Sequence, residues 1–267
     1  GSAGGAPPAA TTPIAEPIIC SKSIDFALQT GDPSGLTDAA AVARCANDFA
    51  KKLSTRQADL PKALYDGQSS EFEPGQYSQF VLPISPEAAQ PLIVGDKGHV
   101  LAALSIAANG RGAGYGSNVL RQFGDSANLA HAPVFRRVLS WLVTGDATKQ
   151  LPASLDLSYS GIDIAAVTSG FKAAGVDVVA TACDFSAANN CGTGSRLLLL
   201  GSDVKADPAL GSRVAQLLAS GRPVLYVHTK GWDGWGTDDA SHKILAGMGL
   251  MPGPYGGNFF DDDAVKA

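Results

Sequence analysis

RLLLLGSDVKADPALGSRVAQLLASGRPVLYV, residues 196–227, decides the fold, because it reads as strand, helix and strand in succession. The apolar runs at 196–200 and 223–227 are buried-strand patterns. Between them a helix opens at Asp207-Pro208 and stops at Gly221, glycine being the favoured residue just past a helix end. The same alternation appears upstream, with a helix over 162–174, Gly175 as its stop, and a strand over 176–182. Strands spaced by helices predict a mostly parallel sheet with helices on both faces, an α/β fold. Further upstream, HAPVFRRVLSWLVTGD (131–146) is helical. Pro133 suits its first turn, Gly145 ends it, and Val134, Val138, Trp141 and Leu142 make its buried stripe. Three short strands are expected at 79–82, 91–94 and 99–106, and NGRGAGYGSN (109–118) reads as a glycine-rich loop.

The 267 residues suffice for one large α/β domain, and 45% hydrophobic with 17% charged residues describes a globular chain. No apolar run approaches the roughly 20 residues of a membrane span. A net charge of -5 with scattered Lys and Arg argues against nucleic acid as a partner. Residues 1–17, rich in Gly, Ala, Pro and Thr, read as a flexible tether. Residues 18–60 read as an N-terminal helical segment holding a helical pair, and 61–267 as the α/β domain. Such a tether fits a cleaved export signal or a lipid-carrying cysteine, so the chain is read as exported, to the medium or the cell surface. The cysteines fall in two close pairs, Cys20 with Cys45 and Cys183 with Cys191, without zinc-finger spacing. Two local disulfides are the natural reading and point the same way.

In an open α/β sheet ligands sit beyond the carboxyl ends of the strands, which places His228, Thr229, Trp232 and Trp235 where chemistry or binding would occur. Catalytic patterns are missing. No HExxH supplies a zinc site, and His99, His131, His228 and His242 are isolated in sequence. Class I amidotransferase-type hydrolases share this order of elements and carry a nucleophile on the turn after a central strand. The corresponding turn here is HTKG, with Thr229 or Lys230 at that place, and His242 with Asp239 as a conceivable base and orienter. GRGAGYG and GPYGGN match neither the dinucleotide nor the Walker pattern. The tail FFDDDAVKA has too few ligands for calcium and reads as a solvated run. Trp232, Trp235, Tyr115, Tyr255, Phe259 and Phe260 are the better lead, since flat aromatic faces beside polar turns suit sugar rings or a protein partner.

Several passages, in order, resemble the N-terminal domain of the immunomodulating metalloprotease family, enhancin-like zinc peptidases of pseudomonads that cut O-glycosylated, mucin-type proteins. They are LPISPEAAQPLIVGDKGHVLAALS, RGAGYGSNVL with AHAPVFRRVLSWLVTGD, LYVHTKGW and ILAGMGLMPGPYGGNFF. Cys183 and Cys191 match a close cysteine pair of that family, whereas Cys20 and Cys45 are an addition to it. The resemblance implies a non-catalytic accessory domain, with zinc and the catalytic residues in regions outside this chain. Its partners would be the downstream domains and O-glycosylated host proteins. The candidate binding surface is Trp232, Trp235, His228, Tyr115, Tyr255 and Phe259. The alternatives are a purely structural docking module and a degenerate amidotransferase-like hydrolase.

Overall fold

The leucines at 197–200 face two ways. Leu197 and Leu199 enter one apolar cluster and Leu198 and Leu200 another, so their strand is buried on both sides, as only an interior strand of a covered sheet can be. A computed structural model describes residues 59–67, 70–75, 78–85, 87–95, 98–107, 110–185, 191–229 and 240–257, with side chains except at 254–257. The two helices expected before residue 54, and the Cys20–Cys45 bridge, lie outside the described residues.

After helical residues 59–65 come strands β1 (Ser78–Pro83), β2 (Ala89–Val94), β3 (Val100–Ser105) and β4 (Gly112–Tyr115). Helices α1 (Val119–Gly124) and α2 (Ala132–Thr144) lead to β5 (Leu155–Ser160), α3 (Ile164–Ala173) and β6 (Val178–Ala182). The chain continues through β7 (Leu197–Gly201), α4 (Leu210–Ala219), β8 (Val224–Val227), α5 (Ala240–Gly247) and β9 (Leu250–Gly257). Seven strands form one sheet in the order β2-β3-β4-β8-β7-β5-β6. Pairing is parallel from β4 to β6 and antiparallel among β2, β3 and β4. One face packs on α1, α2 and α3, the other on α4 and α5, so the expected α/β fold with helices on both faces is present.

The expected stripe of α2 is buried, with Val134, Val138, Trp141 and Leu142 all inside the first cluster. Disulfide Cys183–Cys191 joins the end of β6 to the approach to β7, its Cα atoms 5.4 Å apart.

Two glycine-rich segments hold strands. β4 lies inside the segment read as a loop, and β9 inside GLMPGPYGG, where it pairs antiparallel with β1. The glycines of β4 serve packing rather than turning. A Cβ on Gly112 would meet Met248 Cε at 2.9 Å, and one on Gly114 would meet Leu250 Cδ1 at 3.2 Å. The absent side chains are therefore the space that α5 and β9 fill. β5 and α1 carry no sequence signal comparable to that of β7 and complete the sheet and its first helical layer.

Gly116, just after β4, is the tightest of these contacts. Its carbonyl accepts the Gln79 N–H at 2.6 Å, and its N–H donates to the Leu101 carbonyl at 3.0 Å. A Cβ there would lie 1.8 Å from the Gln79 carbonyl oxygen, which is backbone and cannot swing away. Gly116→Ala is expected to cost about 3 kcal/mol or more by forcing β1 off the sheet. Gly194→Ala, with nothing within 4 Å of the new methyl, is expected to change stability by less than about 0.5 kcal/mol. Urea unfolding of both variants checks the contrast.

Candidate functional site

Sheet topology selects the place to look. From β5 the chain crosses by α3 outward to β6, and from β7 it crosses by α4 the other way to β8. The neighbours β5 and β7 therefore mark the topological switch point, where open α/β sheets usually leave a ligand crevice beyond the carboxyl ends. Here that crevice is closed by backbone. The Asp203 N–H donates to the Gly161 carbonyl at 3.1 Å, and a Cβ on Gly201 would lie 2.0 Å from that same oxygen.

The polar side chains at this edge bond to one another. Thr229 N–H donates to Ser202 Oγ at 2.8 Å, and Ser202 N–H donates to Thr229 Oγ1 at 3.0 Å, a reciprocal clip between the ends of β7 and β8. The Thr229 hydroxyl is 3.1 Å from Asp203 Oδ2. Ser202 Oγ also lies 3.0 Å from His228 Nδ1 and 3.2 Å from the Tyr226 hydroxyl, and that hydroxyl is 3.1 Å from His228 Nδ1. A serine hydroxyl beside an imidazole has the composition of a nucleophile and base. Ser202 is 0% and His228 1% exposed, however, so neither reaches a substrate in this conformation. The arrangement ties strand ends together and satisfies buried polar atoms.

Thr229→Val removes the acceptor of the Ser202 N–H and the donor to Asp203 while keeping the shape. A loss of about 1–3 kcal/mol in denaturant unfolding is expected.

The candidate surface of the sequence reading divides. Trp232, Trp235 and Phe259 lie outside the described residues, as do Lys230 and Asp239. Tyr255 belongs to the backbone of β9. His228 stands just past the strand end where the sequence put it, whereas Tyr115, read as part of a loop, ends β4; both are core residues rather than surface, and their main chains meet where His228 N–H donates to the Tyr115 carbonyl at 3.0 Å. Tyr115 is buried because residues following β4 return over its ring: its hydroxyl sits 3.1 Å from His131 Nε2. His131 Nδ1 lies 3.1 Å from Ser70 Oγ, and the imidazole packs edge-on to Phe72. Spacing could not reveal this network, since Ser70, Tyr115 and His131 come from three separate segments. His99 stacks on Phe80 at 4.4 Å between ring centres. Among the described residues no three His, Cys, Asp or Glu side chains converge as a metal would require.

Burial pushes the pKa of His131 from 6.5 down to about 3. Its folded-state pKa is thus below its unfolded value, so the unfolded chain binds the extra proton first. The stability that neutral His131 provides is complete above pH 6.5 and declines as pH falls from there toward about 3, by about 1.4 kcal/mol per unit. Wild type should therefore lose about 2 kcal/mol between pH 6.5 and pH 5 relative to His131→Gln, read as the difference between their urea unfolding curves.

Comparison with known proteins places this geometry. Residues 60–259 match the family described as the immunomodulating metalloprotease N-terminal domain. The curated immunomodulating metalloprotease of Pseudomonas aeruginosa is 40% identical over 244 residues, which cover 91% of this chain and 26% of that protein. A solved structure of the IMPa metallopeptidase from Pseudomonas aeruginosa superposes with a TM-score of 0.80 at 38% identity, covering 92% of this chain and 27% of the other. The structure of IMPa in complex with an O-glycopeptide, and that of the metallopeptidase in complex with T-antigen, each give 0.81 at the same identity and coverage. The chain thus spans about a quarter of the length of the relatives it matches. The long motifs in its sequence, the sheet they build and these likenesses agree: the chain belongs to the family of immunomodulating metalloprotease N-terminal domains.

Proposed function

We propose that this chain is a non-catalytic accessory domain of an exported zinc metallopeptidase that acts on O-glycosylated, mucin-type proteins. The observation that carries the reading is the closed switch point. The groups at the carboxyl edge that could have been a nucleophile and base, Ser202 and His228, are buried and tie strands together. The same closure weighs against a degenerate amidotransferase-like hydrolase, whose architecture this sheet resembles only in element order. Zinc and its ligands would belong to the remaining three quarters of a relative's length. The O-glycopeptide and T-antigen held by the solved relatives support a glycoprotein substrate for the parent enzyme. In this reading the turn with Trp232 and Trp235, and the segment from Tyr255 to Phe260, help present that substrate. Export, with or without a lipid anchor, fits the Cys183–Cys191 bridge.

A second reading, docking against the remainder of the polypeptide, is favoured by one feature. On the β1–β9 ribbon Met251 stands opposite Leu82, and Ile84 lies just past the end of β1. Met251 is 48% and Ile84 57% exposed, apolar area that a neighbouring domain would cover.

Titration calorimetry of the chain against an O-glycosylated mucin fragment and its deglycosylated form separates the two. The accessory reading expects heat that needs the glycan and disappears in the double variant Trp232→Ala with Trp235→Ala. Heat from neither ligand overturns substrate presentation and leaves docking.

A further inference from the structure

The parallel sheet has a second edge, and a cleft lies there. It measures about 650 Å³ and sits at the amino ends of β5 and β6, between α2, the α2–β5 connection and the turn from α3 into β6. That size suits a ligand of one or two sugar rings. It is the opposite edge from Ser202, His228 and Thr229, and nothing in the accessory-domain reading uses it.

Charge is what distinguishes it. On a chain of net charge -5, the cleft gathers Arg136, Arg137 and Lys149 against Asp66 and Asp177. One of these cations is already committed. Arg137 Nη2 is 2.6 Å from Asp66 Oδ2, and its Nη1 donates to the Ala63 carbonyl at 3.2 Å. Arg136 gives only Nη1, to the Ala174 carbonyl at 2.8 Å, so its other N–H groups have no partner among the described residues. The Lys149 ammonium is within electrostatic reach of the Asp146 carboxylate, and neither it nor the Asp177 carboxylate has a hydrogen-bond partner among the described residues. Beside these groups the lining is mixed, with the polar Ser140, Thr148 and Gln150 and the apolar Leu151, Pro152 and Val176.

Each part excludes ligands. Arg136, with N–H groups to spare, and Lys149 on the same cleft call for an anion, and a planar guanidinium suits a carboxylate. One uncommitted carboxylate repels a polyphosphate but accepts hydroxyl donors. Leu151, Pro152 and Val176 suit a C–H face, and among the described residues no aromatic ring lines the cleft to stack a base. A molecule with one carboxylate, several hydroxyls and a saturated ring meets all three conditions. We infer that this cleft binds a carboxylate-bearing sugar, with Arg136 and Lys149 on its carboxylate, Asp177 on its hydroxyls, and its ring against Leu151, Pro152 and Val176.

The test is an NMR titration of the ¹⁵N-labelled chain with N-acetylneuraminic acid and with glucuronate, galactose serving as the uncharged arm and acetate as the charge alone. Expected are saturable shifts at the amides of Lys149, Gln150, Val176 and Asp177 with both sugar acids, and affinities about tenfold weaker for galactose and acetate. Lys149→Ala, on an exposed rim, is expected to weaken the sugar acids about fivefold without changing galactose. Arg136→Lys, which keeps the charge and removes the fork, tests the second cation where Arg136→Ala could loosen the end of α3. The inference is overturned by no saturable shift at these amides up to about 50 mM ligand, by acetate binding as tightly as the sugar acids, or by unchanged affinity in both variants. A sialylated O-glycopeptide binding more tightly than free N-acetylneuraminic acid would support the site and assign its ligand to a glycan terminus. The reverse order would support it with free sugar acids. Failure here leaves the calorimetric test of substrate presentation undisturbed, since that test reads Trp232 and Trp235.

Discussion

Everything in this fold depends on covering both faces of the parallel strands. β7 offers leucine to each face in turn, and β8 does the same, with Leu225 and Val227 in one cluster and Val224 and Tyr226 in the other. A strand of this kind left bare on either side would expose several side chains, each worth about 1.5–3 kcal/mol of burial. The stripes of α2 and α3 answer one face, and those of α4 and α5 the other. The antiparallel strands β2 and β3 then extend the sheet beyond β4, where the glycines of β4 let Met248 and Leu250 close over it.

That two-sided burial has a consequence at the carboxyl edge. Polar side chains at the strand ends stand at the boundary of a core where an unsatisfied donor is costly, which favours their meeting ligand, water or one another. In this chain they meet one another. Ser202 and Thr229 exchange their backbone N–H groups across β7 and β8, and the turns after β5 and β7 touch through Gly161 and Gly201. The usual place for chemistry in an open α/β sheet is thereby converted into a fastening. His131 does the same work under β4, kept neutral by burial between Ser70 and Tyr115. At the amino edge Arg137 is paired with Asp66, whereas Arg136 keeps N–H groups free in a cleft open to water.

The sequence by itself determined the alternation of elements. The apolar runs at 196–200 and 223–227, the stops at Gly145, Gly175 and Gly221, and the stripe of α2 follow from short-range rules, since each depends on residues within one or two turns of chain. Family membership was legible because the motifs that carry it are long runs of consecutive residues. The tertiary structure alone decided that the glycines of β4 and β9 lie in strands, because what makes them strands is the side chains that occupy the space beside them. It alone decided that Tyr115 and His228 are core residues, because their partners come from segments far away in sequence, Ser70 and His131 for one and Ser202 for the other. The same holds for the amino-edge cleft, whose cations on α2 and the α2–β5 connection meet Asp177 only when β5 and β6 pair. Local order is written in neighbouring residues, whereas a site is a meeting of distant ones.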